Sequence, residues 1–214
     1  MRGKIGRVLT YDVEPKKEVA VLRSLALPLC ALFAIQTAGC AMSVPLLNPR
    51  PNVDLDKRTQ SIHVAFTPAV GDAFKIPPQN GMGAIDVTEW RQSLTNGFIN
   101  GFGEAYQVLN GAPTALTLEF SDAIPELTPA AVSGYYGVVA ANAQVRYKAR
   151  VLANSQILCR SNGTVISKTA VNNAQQVKDA VRSAVESMYE VIAKECFEHP
   201  AASAATAATP SKKL

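Results

Sequence analysis

The sequence predicts an α+β fold. Two helical stripes stand among period-two strand segments, and short turn-rich connections would let the strands pair antiparallel with both helices on one face. The first observation is the stripe Val87, Trp90, Leu94, Phe98 and Phe102, in steps of three and four. The second is the similar stripe Val177, Val181, Ala184, Val185, Met188 and Ile192 near the C-terminus. The third is the alternation Ala143, Val145, Tyr147, Ala149 and Val151 against Gln144, Arg146, Lys148 and Arg150. Burying both stripes on a mainly antiparallel sheet of about four strands gives a two-layer sandwich.

In chain order, Ile62, Val64 and Phe66 alternate with Ser61, His63 and Ala65 and predict a first strand. A Pro-, Gly- and Asn-rich stretch from Pro68 to Gly83 follows. Asp86, with Glu89 three residues on, reads as a capping box opening a helix over about 86–107. Gly97 and Gly101 lie on one face of that helix, where they would admit another backbone at close range. Leu116, Leu118 and Phe120 predict a second strand. Residues 121–142 read as a long loop or irregular hairpin tip holding Tyr135 and Tyr136 between Gly134 and Gly137. These two rings either face a partner or fold back on the core. The third strand is predicted to be long, about 142–160, because its parity continues through Ala153, Ser155, Ile157 and Cys159. Asn162-Gly163 is the preferred dipeptide of a two-residue hairpin loop, so a fourth strand is expected at about 164–170. The last helix is expected at about 174–197.

The chain start is built differently. Basic residues run from Arg2 to Arg23, and an apolar stretch of about eleven residues, Leu25 to Ile35, follows with Pro28 inside it. A spanning helix needs roughly 20 residues, so the pattern predicts a cleaved export signal, residues 1–39. Its basic region exceeds twenty residues and includes Asp12, Glu14 and Glu18, which suggests a translation start nearer Val19 or Val21. The stretch ends Thr37-Ala38-Gly39-Cys40, which resembles the lipobox of bacterial lipoproteins, with Thr37 where Leu is usual. That resemblance implies that Cys40 is acylated and becomes the processed N-terminus. Ordinary signal cleavage nearby is the alternative. Ala41, where the family's inner-membrane members carry Asp, implies the outer membrane.

Residues 40–60 hold several prolines and charges and read as a lipidated N-terminus with a flexible tether, 61–199 as the α+β domain, and 200–214 as a disordered tail. Six of the 21 basic and three of the 17 acidic residues lie in the first forty, leaving a charge of about +1 for 41–214. A nucleic-acid partner is not expected, since phosphate binding needs a basic excess. Cys159 and Cys196 form an even pair in a chain bound for an oxidising compartment, where a disulfide is expected and two buried thiols are the alternative. The last helix should run back along the preceding strand, bringing Cys196 to the Cys159 end.

No HExxH, GxSxG or paired-cysteine zinc spacing occurs, and neither His63 nor His199 neighbours a patterned nucleophile. Gly81-Met82-Gly83 lacks the third glycine and the lysine of phosphate loops. The chain is therefore expected to be non-enzymatic, with no catalytic or metal residues and no cofactor. Element order and Cys40 together resemble small outer-membrane lipoproteins, such as the lipopolysaccharide-assembly lipoprotein that plugs a β-barrel and the auxiliary lipoproteins of lipid-transport systems. The resemblance implies an accessory subunit of an envelope transport or assembly complex. Its partners would be membrane lipid, through acylated Cys40, and an envelope protein. Tyr135, Tyr136, Arg146, Lys148 and Arg150 are the candidate contacts. A periplasmic binding module for a lipid or small apolar ligand is the alternative.

Overall fold

The computed structural model describes residues 42–78, 83–111, 113–129, 141–171 and 173–198. By internal contacts the chain divides between Gly39 and Cys40, and every described residue belongs to the second unit. Tyr135, Tyr136, Cys40, His199 and the expected tail lie outside the described residues.

Among the described residues, eight strands and two helices follow in the order β1 (Met42–Val44), β2 (Ser61–Phe66), β3 (Phe74–Ile76), β4 (Ile85–Val87), α1 (Trp90–Phe102), β5 (Gln107–Val108), β6 (Leu116–Pro129), β7 (Ala141–Ala153), β8 (Gln156–Val171) and α2 (Ala174–Cys196). The strands form a small sheet, β1-β4-β3, and a larger one, β5-β2-β6-β7-β8. The expected sandwich on one sheet of about four strands is therefore overturned. The chain is richer in strand, and β1–β4, β2–β5 and β2–β6 pair in parallel. The additional strands β1, β3, β4 and β5 have two or three residues each, too short to carry a period of their own.

Three boundary corrections share that cause, long-range pairing overriding local signals. Asp86 is a β4 residue paired with Ser43 and Lys75 rather than an N-cap, because Ile85 and Val87 on either side of it are both buried. The helix starts at Trp90 behind Glu89, whose φ of 52° is left-handed and whose side chain makes no cap bond. Its first amides are capped from eighteen residues upstream instead: Trp90 N–H donates to the Asp72 carbonyl (2.9 Å) and Arg91 N–H to Asp72 Oδ1 (3.0 Å). The stripe Trp90, Leu94, Phe98 and Phe102 is fully buried as expected.

Second, the described residues of the expected loop over 121–142, that is 121–129 and 141–142, are strand. β6 continues to Pro129 after a register shift between Phe120 and Asp122. The bulge inserts one residue, so the buried set moves from Leu116, Leu118 and Phe120 to Ala123, Pro125 and Leu127. A period-two reading loses phase there. Third, the hairpin turn lies at Asn154-Ser155, both left-handed at φ 49° and 66°. Two consecutive positive φ values are what a type I′ turn requires. Asn162-Gly163 lies instead inside β8, opposite Lys148 and Tyr147.

The core sits between the larger sheet and the helices. Trp90, Phe98, Phe102, Phe120 and Tyr189 fill it, and Phe102 contacts the rings of Phe98, Tyr106, Tyr189 and Phe197. Trp90 Nε1–H donates to the Ala123 carbonyl (2.8 Å) and Tyr189 O–H to the Leu94 carbonyl (2.7 Å), so the polar handles of both rings are satisfied. α2 spans the expected range, is capped by Asn173 Oδ1 accepting from Gln176 N–H, and buries Val177, Val181, Ala184, Val185, Met188 and Ile192.

The expected flexible tether is also corrected. After β1, residues 47–53 pack along α1. Val44 and Leu47 are buried, Leu47 N–H donates to Ser93 Oγ (2.9 Å), and Asn100 Nδ2 donates to the Pro49 carbonyl (2.7 Å). From the α2 side, Arg50 N–H reaches Glu186 Oε1 (2.9 Å). Gly97 and Gly101 make room for this strap. A Cβ on Gly101 would stand 2.7 Å from Pro51 Cγ, and one on Gly97 would stand 2.8 Å from Tyr189 Cε2 and 3.3 Å from Pro49 Cβ. Proline suits the strap because it exposes no amide needing a partner and holds an extended path. The close approach expected of the two glycines is thus internal.

Candidate functional site

Two ends of the domain can be told apart from strand direction. β1 begins at Met42, level with Ile85 of β4 and Ile76 of β3. From there the strap and α1 run together, Leu47 beside Ser93 and Pro51 beside Gly101. They reach an opposite end where Arg58 Nη2 donates to the Phe197 carbonyl (3.3 Å). α2 travels the same way and finishes there at Cys196. Pro129 and Ala141, which flank residues 130–140, pair with each other at the distal ends of β6 and β7. Cys40 itself precedes Met42 by two residues.

Cys159 and Cys196 are bonded, with Cα atoms 5.6 Å apart and a sequence separation of 37. The expected turn position was wrong, yet the pairing holds. Cys159 follows the Asn154-Ser155 turn and lies opposite Val151, and α2 runs back along β8 to meet it. A polar clamp adjoins the bridge: the Tyr147 hydroxyl lies 3.1 Å from Ser161 Oγ, which donates to Glu195 Oε2 of α2. Burial, the largest cause, pushes the Tyr147 phenol above its ordinary pKa, against the Ser161 hydrogen bond that lowers it. The hydroxyl therefore stays neutral and can serve as donor.

The second face of the larger sheet carries the charged side chains of β7. Arg146, Lys148 and Arg150 are all exposed and lie on that one face. Arg150 is held by Glu119 across the β6–β7 pair, with Nη2 2.6 Å and Nε 2.8 Å from Oε1. Arg146 Nη2 lies 3.3 Å from Glu126 Oε1. Lys148 pairs in register with Asp122 on one side and Asn162 on the other, and among the described residues it has no carboxylate within ion-pair distance. Sequence reasoning missed Arg160. Placing the turn at Asn162 kept it at a strand end, whereas the true turn sets it directly opposite Arg150. Lys148, Arg150 and Arg160 line an open hollow of about 470 Å³ with Glu119, Ser121 and Asn162.

His63 is nearly buried, and its Nδ1 contacts Thr114 Oγ1. The same nitrogen lies 3.5 Å from Thr117 Oγ1, on the paired strand β6. Among the described residues, no three His, Cys, Asp or Glu side chains group as a metal site, and no helix is long and apolar enough to cross a membrane.

No protein-family model and no curated protein sequence matches the chain. The fold is similar to a solved one. A crystal structure of a DUF330 protein from Xanthomonas campestris superposes with a TM-score of 0.50 at 12% identity, covering 78% of this chain and 99% of that one. A minor lipoprotein from Acinetobacter baumannii aligns at a TM-score of 0.41 and 9% identity, over 69% of this chain and 95% of that one. At 12% identity the first likeness is one of backbone arrangement, and the second is too distant to weigh.

Proposed function

We propose that the protein is a non-enzymatic lipoprotein of the bacterial cell envelope, anchored through Cys40 in the outer membrane and facing the periplasm, where it acts as an accessory subunit of a transport or assembly complex. The observation that carries the reading is the small-residue run Thr37-Ala38-Gly39 before Cys40, which stands two residues ahead of β1 at Met42. Acylation needs only an accessible cysteine at a processing point. The thiol sulfur would displace the phosphate headgroup of a phosphoglyceride. A C–S bond forms as the C–O bond to phosphate breaks, and the thiol proton leaves with the released headgroup. The closed Cys159–Cys196 bridge supports an oxidising compartment.

The charged face of β6, β7 and β8 supports the accessory role. Arg150 and Arg146 are prearranged by Glu119 and Glu126, which lowers the ordering cost of meeting an acidic partner surface. Affinity purification from detergent-solubilised membranes tests this. Wild-type protein should retain one envelope protein, and the variant Arg146→Glu, Lys148→Glu, Arg150→Glu should lose it. Equal recovery with both proteins, or none with either, rejects the role.

One observation favours the alternative of a lipid or small-apolar-ligand module. A hollow of about 350 Å³ lies between β3 and β6, its wall mainly Phe74, Ile76, Ile124 and Leu127 with Lys75 and Glu126 also lining it, within the size range of ligand pockets (about 300–1,000 Å³). Native mass spectrometry of protein purified from membranes would show a retained lipid mass if the hollow is a carrier site. Bare protein alone removes that reading.

A further inference from the structure

We propose that the β1 end of the domain, formed by Met42, Lys75, Ile76 and Pro77, rests on the lipid surface, with the Cys159–Cys196 end directed away from it. This rests on the reading of Cys40 as the acylated residue. Consecutive Cα atoms are about 3.8 Å apart, so an acyl-bearing Cys40 stands at most about 7 Å from Met42. A free linker of twenty residues would instead wander roughly 25 Å.

Met42 cannot move outward to lengthen the link. Its N–H donates to the Ala84 carbonyl (2.8 Å), and Met42, Ser43 and Val44 pair with Ile85, Asp86 and Val87. Releasing the strap would expose Val44 and Leu47 and strip Leu47 N–H of its Ser93 acceptor. The strap therefore acts as a fixed stalk built into the domain.

What lies beside Met42 suits a lipid headgroup layer. β3 is two strand positions away, about 10 Å. It presents exposed Lys75, then the exposed Pro77, beside a mainly apolar hollow of Phe74, Ile76, Ile124 and Leu127, whose one carboxylate, Glu126, is paired with Arg146. A cation at the rim of an apolar hollow matches the boundary between phosphate and acyl chain, where a lysine keeps its charge at the phosphate level. The opposite end sets three carboxylates, Asp54, Asp56 and Glu198, against one cation, Arg58, around a hollow of about 200 Å³, and anionic lipid would repel that acidic excess. α2 has 23 residues, so the two ends are separated by on the order of 30 Å along its axis.

The test uses the lipidated protein purified from membranes. It is reconstituted into vesicles of phosphatidylethanolamine and phosphatidylglycerol carrying a headgroup spin label. A fluorescent amino acid replaces either Lys75 or Glu198, and mass spectrometry of the same samples reads the Cys40 peptide. The expected result is an acylated peptide with emission at position 75 quenched several-fold more than at position 198. An acylated peptide with equal quenching at both positions, or stronger quenching at 198, overturns the orientation while leaving the anchor standing. A peptide without lipid overturns the anchor, and the orientation with it.

Discussion

The two halves of the domain are held together by different kinds of information. In the C-terminal half, β6, β7, β8 and α2 follow one another in sequence and pack on their chain neighbours, and a disulfide closes the last two. In the N-terminal half, residues 42–108 are stitched to distant partners. β1 pairs with β4 some forty residues on, the strap bonds to Ser93, Asn100 and Glu186, and Asp72 caps a helix that starts at Trp90. A consecutive meander tolerates local damage because each strand has a neighbour already in place. A stitched half depends on single side chains. The strap is also the part that leads to Cys40, so the region most exposed to point changes is the one that would carry the anchor.

The largest expected effect belongs to the C-terminal half. Cys159→Ser with Cys196→Ser should destabilise by about 4 kcal/mol on the chain-entropy model, read as a lower urea midpoint with unchanged secondary structure. A drop under about 1 kcal/mol would mean the meander and the Tyr147–Ser161–Glu195 clamp alone fix α2. In the stitched half, Gly101→Leu should cost about 1–3 kcal/mol, because even its Cβ would meet Pro51. Limited proteolysis should then cut within 45–60 before the rest of the domain. Uniform digestion would show that the strap is not a separable seam.

Ser93→Ala sharpens the same contrast. It leaves the Leu47 amide buried without an acceptor, at about 1–3 kcal/mol. Hydrogen exchange should speed up in 42–60 and at the start of α1 while β7 and β8 keep their protection. The smallest effect is expected on the charged face. Glu119→Gln breaks a half-exposed pair worth no more than about 1 kcal/mol, so its melting curve should barely move, whereas a strong loss would make the Glu119–Arg150 pair a structural fixture rather than part of a contact surface.

The same contrast explains what could be read from the sequence. The stripes of α1 and α2 were legible because burial on one face of a helix writes a period of three to four into the chain. The disulfide was legible because helix and strand direction decide which cysteines meet, and an error of eight residues in the turn left that direction unchanged. The bulge at Ser121 was not legible, since one inserted residue inverts the phase of an otherwise regular strand. Neither were β1, β3, β4 and the Asp72 cap, because three-residue strands and a cap from a distant loop exist only through partners far along the chain. On the charged face, Arg146, Lys148 and Arg150 followed from parity alone, while Arg160 and the carboxylates that hold the arginines needed the register.

The most direct measurement is the mass of the N-terminal peptide of the protein isolated from membranes. The account predicts a chain beginning at Cys40, with a diacylglyceryl thioether on its sulfur. A chain beginning elsewhere, or an unmodified Cys40 thiol, would contradict it.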